Sequence, residues 1–316
     1  MKRLFLALAL VTVFSVIIYA EDDGNKIETS TDLDLQVSSL IEAKLGLSQS
    51  FVFPFLQGKG PLTQGNNIAM FLKAEISPVS VGGIAEINLT PAAFFVLSGG
   101  GQAGSGWNIP IADGLGLMKP ENESDPLPRH VMVDGSALDG LVWRTWGAGT
   151  LQFDMAALFP GDWNHILFQI RQEFRYSAYT RAGIRDSWVF ENDDGENKNG
   201  WAYNATYVVG YYMPRSPILD TIALMAELEK PLYNTPGGDI WGENLGKWTF
   251  SSLFNFSISP RFSTALALQM RTYRNNGTSN FQDKSYFFED LELLSEGGQR
   301  RLLFYRAALI FNYKIR

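Results

Sequence analysis

Ile166-Leu167-Phe168-Gln169-Ile170-Arg171-Gln172-Glu173-Phe174-Arg175-Tyr176-Ser177-Ala178-Tyr179-Thr180 decides the fold class. Ile166, Phe168, Ile170, Phe174, Tyr176 and Ala178 share one parity, with Gln172 as the exception. Leu167, Gln169, Arg171, Glu173, Arg175, Ser177 and Tyr179 share the other. A period of two means a β-strand with one apolar and one polar face, because successive side chains of a strand point to opposite sides. A helix would scatter both sets around its surface.

The same period recurs outward from this stretch. Trp248, Phe250, Ser252, Phe254, Phe256 and Ile258 alternate with Thr249, Ser251, Leu253, Asn255, Ser257 and Ser259. Tyr203, Ala205, Tyr207, Val209, Tyr211 and Met213 alternate with Ala202, Asn204, Thr206, Val208, Gly210 and Tyr212, and Ile222, Leu224, Ala226 and Leu228 with Ala223, Met225, Glu227 and Glu229. Near the start, Val37, Ile41, Ala43 and Leu45 alternate with Gln36, Glu42 and Lys44, and Ile68, Met70 and Leu72 with Phe71, Lys73 and Glu75. Short connections carry Pro (Pro91, Pro160, Pro214 with Pro217, Pro260), where a missing N–H costs no ladder bond. Between them lie long polar stretches near 108–139, 186–199, 234–245 and 275–299. Strands are expected near 35–56, 66–89, 92–107, 140–158, 165–184, 201–213, 220–232, 246–259, 261–274 and 300–315. That is about ten, with a range of about 8–12, and Pro54 and Pro78 are read as bends inside long strands. Residues 286–294 are expected to form an extra strand or an interfacial helix.

The N-terminus frames this pattern. Lys2 and Arg3, then apolar Leu4 to Ile18, then Ile18-Tyr19-Ala20 before Glu21 have the layout of a secretory signal peptide over 1–20. The apolar run is short for a spanning helix, and no later run reaches the ~20 residues required. A chain that spans a membrane on these terms must do so as a closed barrel, since only helices and closed barrels satisfy every backbone polar group in hydrocarbon. The organisation expected is a cleaved signal peptide, a periplasmic segment over 21–34 and one barrel domain over 35–316. With no Cys, a disulfide-stapled scaffold is excluded, and a net charge of -7 excludes a general basic patch for nucleic acid. Mean hydropathy near zero suits a barrel whose strands are half polar.

The last strand carries the first family resemblance. Tyr305, Ala307, Leu309, Phe311, Tyr313 and Ile315 form one row, and Arg306, Ala308, Ile310, Asn312 and Lys314 the other. An amphipathic closing strand with aromatics at period two resembles bacterial outer-membrane β-barrel proteins, although the ending Tyr313-Lys314-Ile315-Arg316 departs from their common terminal Phe. The segment Thr90-Pro91-Ala92-Ala93-Phe94-Phe95 with Gly104-Ser105-Gly106-Trp107 is similar to uncharacterised spirochaete outer-membrane barrels. The class resemblance implies an all-β, transmembrane, antiparallel up-and-down barrel in the outer membrane. It also implies lipid as solvent and the barrel-assembly machinery as a partner during insertion. Trp107, Trp143, Trp146, Trp201 and Trp248 fall at expected strand ends on the long-loop side and read as an aromatic girdle. Trp163 falls in a short turn, and Trp188 and Trp241 in loops.

Chemistry must be argued from a site, since a barrel wall is a scaffold. The only two His, His130 and His165, are expected on opposite rims, so no shared metal or catalytic centre is expected and no cofactor is implied. Outer-membrane proteases pair acidic residues with a His beside an Asp. Asp134 and Asp139 share a loop with His130 here, but no Asp-x-His spacing is present. Gly99-Gly100-Gly101 lacks the strand-to-helix context of a phosphate loop and reads as close packing or curvature in a strand.

The inward charges are the candidate site: Glu42, Lys44, Lys73, Glu75, Arg171, Glu173, Arg175, Glu227, Glu229, Arg271 and Arg306, with Asp154 and Lys314 nearer the ends. Opposite charges in a narrow lumen would pair and fill it, because unpaired buried charges are costly. The other reading is a narrow polar channel or small-solute site, with Arg171, Arg175 and Arg271 placed for an anion. The function expected is a non-catalytic outer-membrane barrel of structural, surface or narrow small-solute channel type. Two alternatives are an outer-membrane protease- or lipase-like enzyme with its site on extracellular loops, and a soluble periplasmic lipid-binding β-barrel. The latter would point the apolar rows inward.

Overall fold

The computed structural model describes residues 27–40, 42–120, 130–134, 136–183, 186–191, 193, 197–232, 246–274 and 300–316. Twelve strands close into one antiparallel barrel. In chain order they are β1 (Glu28–Ser38), β2 (Ala43–Pro54), β3 (Asn67–Ile76), β4 (Ser80–Ala92), β5 (Phe95–Gly106) and β8 (Val142–Asp154). They continue as β9 (Ile166–Tyr179), β11 (Gly200–Tyr212), β12 (Leu219–Pro231), β13 (Lys247–Ser259), β14 (Phe262–Arg274) and β15 (Arg300–Lys314). Each strand pairs with its neighbours in the chain, and β1 pairs with β15 to close the ring, with Leu33 opposite Tyr313 and Val37 opposite Leu309. β6 (Leu115–Pro120), β7 (His130–Asp134) and β10 (Ser187–Phe190) form a separate three-stranded sheet from two of the long loops.

The count is twelve rather than about ten because the first two expected strands each divide. The chain reverses at Ser39–Leu40, where the Ser38 N–H donates to the Glu42 carbonyl (3.0 Å), and again between Ser77 and Ser80. Pro78 therefore sits in a turn and Pro54 ends β2; neither is a bend inside a strand. The barrel also starts before residue 35. Asp32 and Asp34 look like a solvated leader, yet they lie on β1 with Leu33 and Leu35 on the opposite parity, so residues from 28 onward belong to the wall. The expected signal peptide, Trp241 and the segment 286–294 lie outside the described residues.

Side-chain direction follows the period. On β9, Phe168, Ile170 and Phe174 are exposed outward while Glu173 between them is buried. On β12, Leu224 is 64% exposed while Ala223 beside it is 8% exposed. Leu151, Tyr207, Val209, Phe250 and Leu268 are likewise exposed on the outer face. A continuous outer apolar belt over a polar interior is the inverse of a lipid-binding soluble barrel, and that alternative is overturned. Exposed patches of this extent are not sustained in water. The outward exception Gln172 accepts a hydrogen bond from the Tyr203 hydroxyl, so its amide oxygen has a partner on that face.

Two interior departures from a simple period shape the lumen. The first is a β-bulge in β15: Gln269 pairs with Arg306, but Met270 pairs with Phe304. The extra residue, Tyr305, turns inward and Phe304 points out, 52% exposed. The expected apolar row from Tyr305 to Ile315 therefore holds only from Ala307 onward, since a bulge shifts the parity of everything beyond it. The second is Gly100. A Cβ there would lie 2.6 Å from Trp146 Cζ2 and 2.7 Å from the Ala85 carbonyl oxygen, so the Trp146 indole lies directly against the bare backbone. The glycine run is thus a packing device, as its context implied.

Trp146 accordingly leaves the expected girdle for the lumen. Trp143 and Trp201 do face out, and Tyr176 sits between them at 5.2 Å and 5.4 Å, ring to ring. Trp163 is exposed at the short-turn rim, whereas Trp188 is fully buried in the small loop sheet.

Candidate functional site: a charged cavity inside the barrel

The inner wall is organised as three side-chain networks. On β1 to β3, Lys73 Nζ meets Asp34 Oδ2 (3.1 Å) and Glu75 Oε2 (3.7 Å), and Glu75 Oε1 in turn meets Lys44 Nζ (3.4 Å). On β4 to β11, Glu173 bridges Arg171 Nη2 (2.9 Å) and Arg175 Nη2 (2.6 Å), and it accepts from Asn204 Nδ2 (3.2 Å). Glu86 joins this group through Arg171 (3.7 Å) and the Trp146 indole N–H (2.9 Å). On β13 to β15, Arg306 donates to Glu42 (2.6 Å) and to Gln269 Oε1 (2.7 Å), whose amide donates to Ser251 (2.9 Å). Tyr305, delivered inward by the bulge, lies under the Arg271 guanidinium at 3.6 Å and near that of Arg306 at 4.9 Å. Cations over an aromatic face gain from the ring quadrupole.

The long-loop rim is covered from one side. β10 pairs with β6, and Trp188, Phe190 and Leu115 pack with Val142 and Tyr179 at the top of the wall. The Trp188 indole N–H donates to Asn199 Oδ1 (3.1 Å), which also accepts from the Tyr179 backbone N–H (2.8 Å). Just past β10, Glu191 adopts a left-handed backbone (φ 58°) and sends its side chain down into the mouth. One carboxylate oxygen meets Lys44 Nζ at 2.6 Å, and the other accepts from Ser80 Oγ at 2.7 Å. The loop is thereby tied to β2 and β4.

Beneath this cover is a cavity of about 610 Å³. Among the described residues its walls hold six acidic and six basic side chains with amides and hydroxyls between them. Glu42, Arg171, Glu173, Arg175, Glu227, Glu229, Arg271 and Arg306 all line it, so eight residues of the expected set converge on one space. Lys44, Lys73 and Glu75 belong to the adjoining network on β2 and β3 instead. Asp154 and Lys314 end their strands at the short-turn rim. Sequence reading missed Arg144, Lys247, Glu191 and Asp193 in the lining, and Asp34 and Glu86 in the supporting networks. A signal for Arg144 was present: Trp143 and Trp146 differ by an odd number, so both cannot face lipid, and Arg144 shares the parity of Trp146.

The His residues do not form a centre with each other. Asp139, expected near His130, pairs with Arg181 (3.5 Å), and the side chains of His130 and Asp134 lie outside those described. His165 Nδ1 lies 2.7 Å from Asp154 Oδ2 at the opposite rim, while Asp154 Oδ1 accepts from the Ala156 N–H. This pair caps a 3₁₀ turn and ties it to the next strand. Among the described residues no cluster of three or more metal-ligating side chains occurs.

No protein-family model matches the chain, and no curated protein is similar to it in sequence. The comparison with solved structures finds outer-membrane barrels at low similarity. The KdgM porin is 11% identical, with 91% of this chain and 99% of that one covered and a TM-score of 0.39. The NanC porin is 8% identical, with 90% and 98% covered and a TM-score of 0.41. The translocator domain of the autotransporter NalP from Neisseria meningitidis is 9% identical, with 99% and 96% covered and a TM-score of 0.37.

Proposed function

We propose that the protein is an outer-membrane barrel, exported through a cleaved signal peptide, that admits a small polar solute to a covered cavity in its lumen and performs no chemistry on it. The observation that carries this reading is the polar cavity of about 610 Å³ inside a barrel whose outer belt is apolar. A lumen filled by ion pairs alone would leave no such space. The charges instead pair along the walls, in Asp34–Lys73–Glu75, Arg171–Glu173–Arg175 and Glu42–Arg306, and stand around an open centre. Ligand sites are concave and hold a few convergent polar groups, and this one is more polar than most. That suits a hydrophilic solute.

Membrane fractionation with boiled and unboiled gel samples tests the first half. The expected outcome is outer-membrane recovery with a mobility shift on boiling. Planar-bilayer recording tests the second half. Small, steady conductance steps are expected, and complete electrical silence with no solute uptake into proteoliposomes would return the lumen to a sealed plug.

A further inference from the structure

Two of the twelve charged groups around the cavity differ from the rest. Among the described residues, Arg144 and Glu227 make no hydrogen bond and no ion pair. Eight of the others are held by named partners, as Arg171 and Arg175 are by Glu173 and Arg306 is by Glu42. Glu229 and Lys247 face each other across one rung of the β12–β13 ladder. Arg144 is instead propped from one side, with its guanidinium over the Phe190 ring at 5.7 Å. That contact uses none of the guanidinium N–H donors, and Arg144 lines the cavity.

The two groups lie at similar depth in the cavity wall, about a quarter-turn apart. Arg144 is the third residue of β8, and Glu227 is the fifth from the end of β12, both counted from the long-loop rim. Two strands, β9 and β11, separate them, which is about a quarter of the twelve-strand circumference, and both side chains line the one cavity. One is a cation rich in donors and the other is an acceptor-only anion. Arg144 has Asp193, Glu229 and Glu191 in its neighbourhood and Glu227 has Arg271, Arg306 and Arg175, but neither is bonded to them, and two such groups of opposite sign on one space complement a molecule that carries both signs.

We infer that the cavity is a binding site for a small zwitterion of amino-acid or short-peptide size, with its carboxylate on Arg144 and its ammonium on Glu227. This rests on the proposed solute-admitting lumen and narrows it. The equal count of acids and bases among the described lining residues argues against a pure anion or cation site, since neither would be favoured by the field of that wall.

The test is equilibrium binding to the folded full-length barrel in detergent, with heat-modifiability checked for every sample. The probes are glycine, diglycine and triglycine, which increase the charge separation, with acetate and methylammonium as single-charge controls. At least one of the three zwitterions is expected to bind saturably and more tightly than either control. Arg144→Met and Glu227→Gln are each expected to weaken it roughly ten- to hundredfold, the loss of one charge-assisted contact. Acetate binding as tight as that of the zwitterions, or a Glu227→Gln barrel with unchanged affinity, overturns the inference. A barrel that conducts but binds none of the five probes also overturns it and leaves the solute-admitting reading standing. A barrel that neither conducts nor binds removes both. If Arg144→Met fails to fold, Glu227→Gln and Arg144→Lys carry the test, the latter expected to retain part of the affinity because it keeps the charge and loses the planar fork.

Discussion

Glu191 Oε2 lies 2.6 Å from Lys44 Nζ, joining a loop residue to the second strand across 147 positions of sequence. The contact pins the loop cover to the barrel mouth, with support from Ser80 on the same carboxylate. Glu191→Ala removes both ties and leaves the β10–β6 pairing intact. Single-channel conductance or solute flux into proteoliposomes is expected to rise, with barrel melting little changed. Raising ionic strength is expected to act in the same direction in the native protein, because both partners are partly solvated and are screened by salt.

Glu173 is the pivot of the β9 wall. Glu173→Gln leaves Arg171 and Arg175 facing each other with a neutral amide between them. Hydrogen bonds to charged groups contribute about 1.5–3 kcal/mol, and a loss of that order is expected in urea unfolding of the reconstituted barrel. The lumen also becomes more positive by one charge, so the reversal potential in a salt gradient is expected to move towards anion preference.

Gly100 and Gly99 separate packing from composition. Gly100→Ala places a Cβ against the Trp146 ring and the Ala85 carbonyl oxygen, and overpacking of this kind costs about 1–3 kcal/mol. At Gly99 the nearest atom, the Trp146 carbonyl oxygen, is 3.9 Å from the added Cβ, so Gly99→Ala is expected to be near neutral. Parallel melts of the two variants check the difference.

Leu224 tests which solvent surrounds the wall. Among the described residues it is the most exposed large apolar side chain of the barrel strands. In a bilayer Leu224→Arg is expected to destabilise by about 2–4 kcal/mol, the depth-dependent cost of a cation on the lipid face. In water the same exposed position would tolerate Arg with little change. Unfolding titrations in liposomes distinguish the two.

The fold was legible where the period of two ran unbroken. β9, β11, β12 and β13 lie close to where alternation put them, and eight of the expected lumen charges meet in one cavity. What was not legible has physical causes. The β1–β2 turn at Ser39–Leu40 contains neither Gly nor Pro, so nothing punctuates it. The bulge at Tyr305 is a one-residue event that only the partner strand reveals. Glu191 and Asp193 reach the lumen from a loop, where periodicity assigns no side. Arg144 was hidden because two neighbouring tryptophans were both read as interfacial, although their odd spacing forbids it.

The seam between β1 and β15 pairs Asp32 with Lys314, so the first and last strands of the wall are each other's neighbours. Until that seam forms, every intermediate carries two open strand edges, which are templates for pairing with other chains. Closure is therefore a late, long-range step that demands the whole chain, and contacts of such high sequence separation form slowly. A copy cut short before residue 300 would not be a smaller barrel but a curved ribbon with nothing to join its margins. Its life in the cell would depend on how long a chaperone could keep those margins apart.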